Sequence, residues 1–154
     1  MECPGGGMVN MERKSITSIS EPQLADIRSC WPQVKEGIEN ILTQIPALTF
    51  IPEDVYSECV NENAFLFTSP TGFLVLTIEI DKYTKHKTLY IWLAYTYTKG
   101  NHEWLGHEGW FENTARSLGC KYIEAQSAIP EMEPYAIKRG WNVDARIFRR
   151  QVDE

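Results

Sequence analysis

The chain has 154 residues, with 15 Lys plus Arg against 21 Asp plus Glu and a net charge of −6. That length predicts one domain. The acidic balance argues against a nucleic-acid partner, which rewards clustered positive charge, and no apolar run approaches the ~20 residues that span a bilayer.

Residues 1–13 form a loose leader, with Gly5, Gly6 and Gly7 after Pro4, ahead of a single domain at 14–154. Lys14–Ile19 alternates weakly and predicts a short first strand. Ser20, Pro22 and Gln23 make an S-x-x-Q capping box for a helix through Leu24, Ile27 and Trp31. Pro32 is expected to break that helix and open the next. Val34, Ile38, Ile41, Leu42 and Ile45 mark the buried face of the second helix, which Pro46 stops. A third short helix is predicted from Pro52 to about Val60.

The period then changes. Ala64–Thr68 reads as a strand, Pro70-Thr71-Gly72 as a turn, and Phe73–Asp81 as a half-buried strand. In the last of these, Leu74, Leu76, Ile78 and Ile80 share one face, and Thr77, Glu79 and Asp81 the other. The polar loop Lys82–Lys87 closes a hairpin onto Thr88–Tyr97, apolar on both sides as a central strand is. A helix follows at Leu105–Leu118, stopped by Gly119. Then come a strand at Tyr122–Ala128, a short helix at Pro134–Arg139 ending at Gly140, and a last strand at Ala145–Val152. The fold class is α+β (mixed α/β), a twisted sheet flanked by helices.

Four Cys, at 3, 30, 59 and 120, fall in no C-x-x-C pair and share no spacing with a His cluster. They read as reduced buried thiols in a cytoplasmic protein, which predicts no zinc site. His102-Glu103 and His107-Glu108 imitate a metalloprotease motif, but a five-residue separation turns the two His about 140° apart on a helix. Lys82, Lys85 and Lys87, and Arg146, Arg149 and Arg150, are two basic stretches suited to a solvated hairpin and a charge-blunted edge. Either also suits an acidic partner.

This order of elements, with these residues, resembles the GNAT superfamily of acyl-CoA-dependent N-acyltransferases. Three stretches carry the resemblance: LYIWLAYT, at the place of the family's splayed fourth strand; LGHEGWFENTARSLGCKYIEA, with the shape of its next helix and strand; and YAIKRGW before the final strand. The likeness runs from about Ala64 to Val152, with Ser15–Val60 supplying the front strand and helices. It implies a mostly antiparallel sheet with helices on both faces. More narrowly, the chain is similar to small GNAT-like proteins of tailed bacteriophages, through Trp31-Pro32, Trp92, Gly119-Cys120 with Ile123-Glu124, and Gly140-Trp141.

The resemblance implies acetyl-CoA as cofactor and an amine or protein acceptor. The family cradles pyrophosphate in an R/Q-x-x-G-x-G/A loop at a helix start, where backbone N–H groups meet the anion. Here that loop is TKGNHEWLG, which sets Asn101, Trp104 and Gly106 at the three motif positions and matches one of them. The cradle is therefore degenerate. Lys99, Gly100 and Asn101, helped by His102 or His107, offer a different anion nest. Tyr95, Thr96 and Tyr97 lie where a strand splay would expose backbone to the pantetheine arm. Glu79, on the polar face of its strand, is the candidate base, and Tyr135 the candidate acid. Tyr135 is one residue from the family position, occupied here by Ala136, so a helix without an offset would turn it toward the core. The alternative function is a non-catalytic GNAT-fold phage protein, a virion or assembly component or a binder of a host protein. A homodimer through an edge strand or an aromatic surface is also expected.

Overall fold

The computed structural model describes residues 21–98, 103–127 and 131–152. The leader, the first predicted strand at Lys14–Ile19, and Asn101 lie outside the described residues. The described chain folds as β1 (Gln23–Leu24), α1 (Ile27–Gln44), α2 (Pro52–Val60), β2 (Phe65–Ser69), β3 (Gly72–Ile80) and β4 (Lys87–Thr96). A 3₁₀ turn (Glu103–His107), α3 (Glu108–Ser117), β5 (Cys120–Ala125) and α4 (Met132–Lys138) complete it.

The five strands form one sheet in the order β1-β2-β3-β4-β5. β1 to β4 pair antiparallel in succession, and β5 joins β4 in parallel. Helices cover both faces, as expected of the α+β class. On one face α1 and α2 bury Val34, Ile38, Ile41 and Val55 against Leu66, Phe73, Val75 and Leu93. On the other, Phe111 and Ala115 of α3 pack with Trp104 on Leu74, Leu76 and Leu89.

Three expectations need correction. The capping box at Ser20–Gln23 does not start a helix: Gln23 and Leu24 instead pair with Thr68 and Phe67 of β2. The helix begins at Ile27, and Asp26 caps it by accepting from the backbone N–H of Arg28 at 2.9 Å. Pro32 does not divide the helix either, and α1 runs unbroken from Ile27 to Gln44. A helix-interior Pro costs ~3 kcal/mol. Ile27, Val34, Ile38 and Ile41 are buried along one stripe, and each burial contributes ~1.5–3 kcal/mol, so packing outweighs the lost bond. Finally, residues 145–152 form no strand, which leaves β5 at the sheet edge.

Smaller differences concern faces and ends. Phe73, Leu74, Val75 and Leu76 are all buried, so the first half of β3 is covered on both sides, and only Glu79 and Ile80 emerge. The helix expected at Leu105–Leu118 is split into the 3₁₀ turn and α3. Gly119 and Gly140 end α3 and α4 with positive φ of 73° and 88°, as glycine allows.

A bulge in β4 redirects its side chains. Val75 pairs with Leu93 but Leu76 pairs with Ile91, so Trp92 is the extra residue. Trp92 and Leu93 therefore both serve the α1 face, while Leu89 and Ile91 serve the α3 face.

Candidate functional site

β4 and β5 pair only in part. Their ladder runs from Lys87↔Cys120 to Ile91↔Ala125. Beyond the Trp92 bulge, β4 continues to Thr96 against β3 alone. β5 ends at Ala125, so among the described residues no strand flanks the far side of β4 beyond Ile91, a gap termed the opening.

Alternation sets which backbone groups face the opening. The N–H of Tyr97 donates to the carbonyl of Thr71 across the β3 side at 2.9 Å. In an antiparallel ladder successive residues point their polar groups to opposite sides. The N–H and C=O groups of Ala94 and Thr96 therefore point away from β3, into the opening. Ala94 is exposed and adds only a methyl group there.

The α3 face of the opening is built around Trp104. Its indole is buried, and Nε1 donates to the carbonyl oxygen of Tyr95 at 3.1 Å. Gly72 makes room for that bond, since a Cβ at this position would lie 1.9 Å from the same oxygen. The ring of His107, also buried, lies 5.5 Å from the indole. The start of α3 has no side-chain cap and continues directly from the 3₁₀ turn at Glu103–His107. Gly106 and Gly109 border open space. Arg139, just past α4, reaches this corner through Glu108 at 2.9 Å.

The other face is tied to α1. Asn40 Nδ2 donates to the hydroxyl of Tyr95 at 2.8 Å, and Gln33 Nε2 donates to the hydroxyl of Tyr97. Between them Gly37 lets the helix close on the sheet: a Cβ there would stand 2.5 Å from the Phe73 ring and 2.9 Å from the Tyr95 ring. The Tyr95 ring rests 5.4 Å from Phe73 and 6.0 Å from Tyr97.

The structure thus brings Tyr95, Thr96, Tyr97 and Trp104 to one opening, with Gly106 exposed on the adjoining turn. The Thr96 hydroxyl donates to the carbonyl of Thr98 at 3.1 Å. Trp104, at the motif position that the family gives to glycine, turns inward under the corner.

Glu79 is not brought to this place. It pairs with Thr88, seven residues along β4 from Tyr95, or roughly 23 Å at strand rise. It is exposed beside Tyr90, whose hydroxyl is pushed to higher pKa by burial and then by Glu79 and Glu124. Tyr135 does not face the core: it is 49% exposed, on a helix with no buried residue.

Gln33, Gly37, Asn40 and Gly72 carry no motif that marks them in the sequence. The i, i+4, i+7 spacing of the first three on an otherwise apolar helix face was the available signal. Among the described residues, no group of three or more His, Cys, Asp or Glu is placed to hold a metal, and no helix is long and apolar enough to cross a membrane.

No protein-family model and no curated protein matches the chain. Solved structures do. A ribosomal-protein-alanine N-acetyltransferase from Brucella melitensis biovar Abortus 2308 superposes with TM-score 0.64 at 9% identity, over 86% of this chain and 100% of that one. A probable acetyltransferase also gives 0.64 at 9% identity, over 88% and 99%. An aminoglycoside acetyltransferase from an uncultured soil metagenomic sample, in complex with sisomicin, gives 0.63 at 10% identity, over 87% and 95%. The chain has the fold of the GNAT acetyltransferases. In this GNAT fold the end of the β4–β5 ladder and the Trp104 corner lie side by side, at the same end of the sheet.

Proposed function

We propose that the chain is an acyl-CoA-dependent N-acetyltransferase with a degenerate pyrophosphate loop, acting on an amine. The observation that carries this is the end of the β4–β5 ladder at Ile91 and Ala125, beside the turn that leads into α3. The outward backbone groups of Ala94 suit the amides of a pantetheine arm. The turn into α3, with Gly106 and Arg139, suits a pyrophosphate, and Asn101 is proposed beside it from the loop's sequence alone. The residues present therefore fit acetyl-CoA, which when bound supplies a thioester activated for attack by an amine.

The chain's own groups have the remaining work. The bond from Trp104 to the Tyr95 carbonyl ties the corner before α3 to the length of β4 that runs on beyond β5. Tyr95 and Tyr97, fixed by Asn40 and Gln33, line the side from which an acceptor would approach. Tyr135 is the proposed proton donor to the leaving thiolate, reached from exposed α4. Glu79 is too distant to take a proton from an amine at the opening. The acceptor's deprotonation is therefore assigned to water.

A second reading, a GNAT-fold protein kept for binding alone, is favoured by Trp104, which occupies a motif position otherwise held by glycine. Its version as a phage component or a host-protein binder rests on the sequence likeness.

Calorimetric titration with acetyl-CoA separates the two, together with thermal melting. Binding at 100 times the dissociation constant adds about 2.7 kcal/mol of stability, which for a domain of this size raises Tm by roughly 5–10 °C. No heat and no shift at millimolar acetyl-CoA would overturn the enzyme reading.

A further inference from the structure

The end of the sheet away from the opening reverses the charge of the chain. The whole chain carries −6, but residues 81–87 and 120–122 hold four Lys against one Asp. Charges farther away than about 10 Å are largely screened, so this local balance decides what approaches. Lys87 pairs with Cys120, which brings the β3–β4 hairpin and the start of β5 to one place. Among the described residues, none of these four lysines enters an ion pair.

The turn is built to hold these side chains out. The Asp81 carboxylate accepts from the backbone N–H groups of Tyr83 and Thr84, each at 2.8 Å. The N–H of Lys85 donates to the Asp81 carbonyl, and that of Asp81 to the His86 carbonyl, both at 2.9 Å. Lys85 takes a φ of 64°, a left-handed conformation that suits glycine or asparagine. A cation therefore occupies a position where glycine would relax the turn.

Two tyrosine rings stand among the ammonium groups. Tyr83 is 82% exposed, with Lys82 Nζ 5.1 Å from its ring centre. Tyr122 is 50% exposed, with Lys121 Nζ 5.6 Å from its ring centre and the His86 ring at 6.4 Å. Tyr122 is level with Thr88, a few strand residues or roughly 10 Å from the turn, so one extended strand can touch both rings. Glu79 and Glu124 flank Tyr122 on its face and bound the surface there. The lysines alone would serve any polyanion. Exposed rings interleaved with them favour one whose units are flat, since every base has a face to stack. We infer that the β3–β4 hairpin and the start of β5 form a docking surface for single-stranded nucleic acid. Its bases stack on Tyr83 and Tyr122, and its phosphates meet Lys82, Lys85, Lys87 and Lys121.

Fluorescence anisotropy of a labelled oligouridylate, titrated with the full chain, tests this. Micromolar binding is expected at about 50 mM salt, with a log–log salt slope of about −3, because each of the four lysine–phosphate contacts contributes ~0.7. No change in anisotropy at about 1 mM protein overturns the inference. Lys85→Gly should melt no lower than the parent, because it relaxes the turn, yet bind several-fold more weakly with a slope smaller by ~0.7. Unchanged affinity and slope in that variant count against the surface. Tyr83→Ala and Tyr122→Ala should each weaken binding roughly tenfold. Binding that neither alters lies elsewhere, and overturns the inference. Oligothymidylate in parallel shows which sugar is preferred, and either preference keeps the surface. A duplex that binds more tightly than both single strands overturns the stacking. Polyglutamate that displaces the oligonucleotide at equal charge makes this a site for acidic polypeptide instead, and likewise overturns it.

Discussion

The indole Nε1 of Trp104 donates to the carbonyl oxygen of Tyr95 at 3.1 Å. This bond joins the corner before α3 to the length of β4 that runs on beyond β5, and Gly72 makes it sterically possible. Trp104→Phe keeps most of the apolar bulk and removes the donor. A neutral hydrogen bond contributes ~1 kcal/mol, so Tm should fall by roughly 2–4 °C. If the same bond holds the opening, acetyl-CoA affinity falls as well. Thermal melting and calorimetry on one sample measure both.

Gly72→Ala is expected to be worse. Its Cβ would meet the Tyr95 oxygen at 1.9 Å and the Thr96 Cα at 3.0 Å, both backbone atoms. Overpacking commonly costs ~1–3 kcal/mol, and a clash with strand backbone belongs at the upper end. Urea denaturation should show the midpoint drop; an unchanged midpoint would mean that the β3–β4 pairing is looser at this point.

Gly37→Ala opposes two effects. Alanine improves helix propensity by ~1 kcal/mol, but its Cβ would stand 2.5 Å from the Phe73 ring, and Phe73 is fully buried. The net expectation is a loss of about 1–2 kcal/mol. The Tyr95 hydroxyl should also part from Asn40. Equilibrium denaturation gives the first, and a shift of the Tyr95 ring resonances gives the second.

Arg139 separates stability from binding. Its pair with Glu108 is half exposed, and such pairs contribute ~0–1 kcal/mol, so Arg139→Gln should melt almost as the parent does. If Arg139 serves a pyrophosphate at the α3 corner, losing a charged hydrogen bond of ~1.5 kcal/mol weakens acetyl-CoA about tenfold. Equal affinity would remove Arg139 from the proposed site.

Cys59 makes a pH prediction. Burial, and then the nearby Glu58, push its thiol from an ordinary 9.0 up to about 11. The folded protein therefore holds that proton between pH 9 and 11, where the unfolded chain releases it. The resulting stability is present below about pH 9 and is lost as pH rises toward 11. Melting curves of the parent and of Cys59→Ala should converge over that window. Iodoacetamide should leave the folded thiol largely unmodified at neutral pH.

Glu79→Gln tests the distance argument. If the chain transfers acetyl groups as proposed, the rate should be unchanged, because Glu79 lies at the far end of β3. The Tyr90 hydroxyl should ionise at lower pH, since one of the two carboxylates raising its pKa is gone. Ultraviolet titration of the phenolate reports that shift, and a large rate loss would return Glu79 to the site.

What the sequence determined by itself is the alternation and its partners. The two-residue period of Phe73–Ile80, the apolar run ending in Tyr95-Thr96, and the glycines at 119 and 140 specified the strands, the hairpin and the helix stops. These depend on local geometry, which neighbouring residues decide. The family resemblance also brought out Tyr95, Tyr97 and Trp104, through the expected strand splay and cradle loop. Tertiary structure alone decided the rest. Whether Pro32 breaks a helix depends on how much apolar surface that helix buries, and this is settled by the sheet beneath it. Whether Glu79 can serve the opening depends on which end of β3 lies by the end of the β4–β5 ladder, a fact of register. Gln33, Gly37, Asn40 and Gly72 matter only through what they meet across the fold, at distances no run of neighbouring residues encodes.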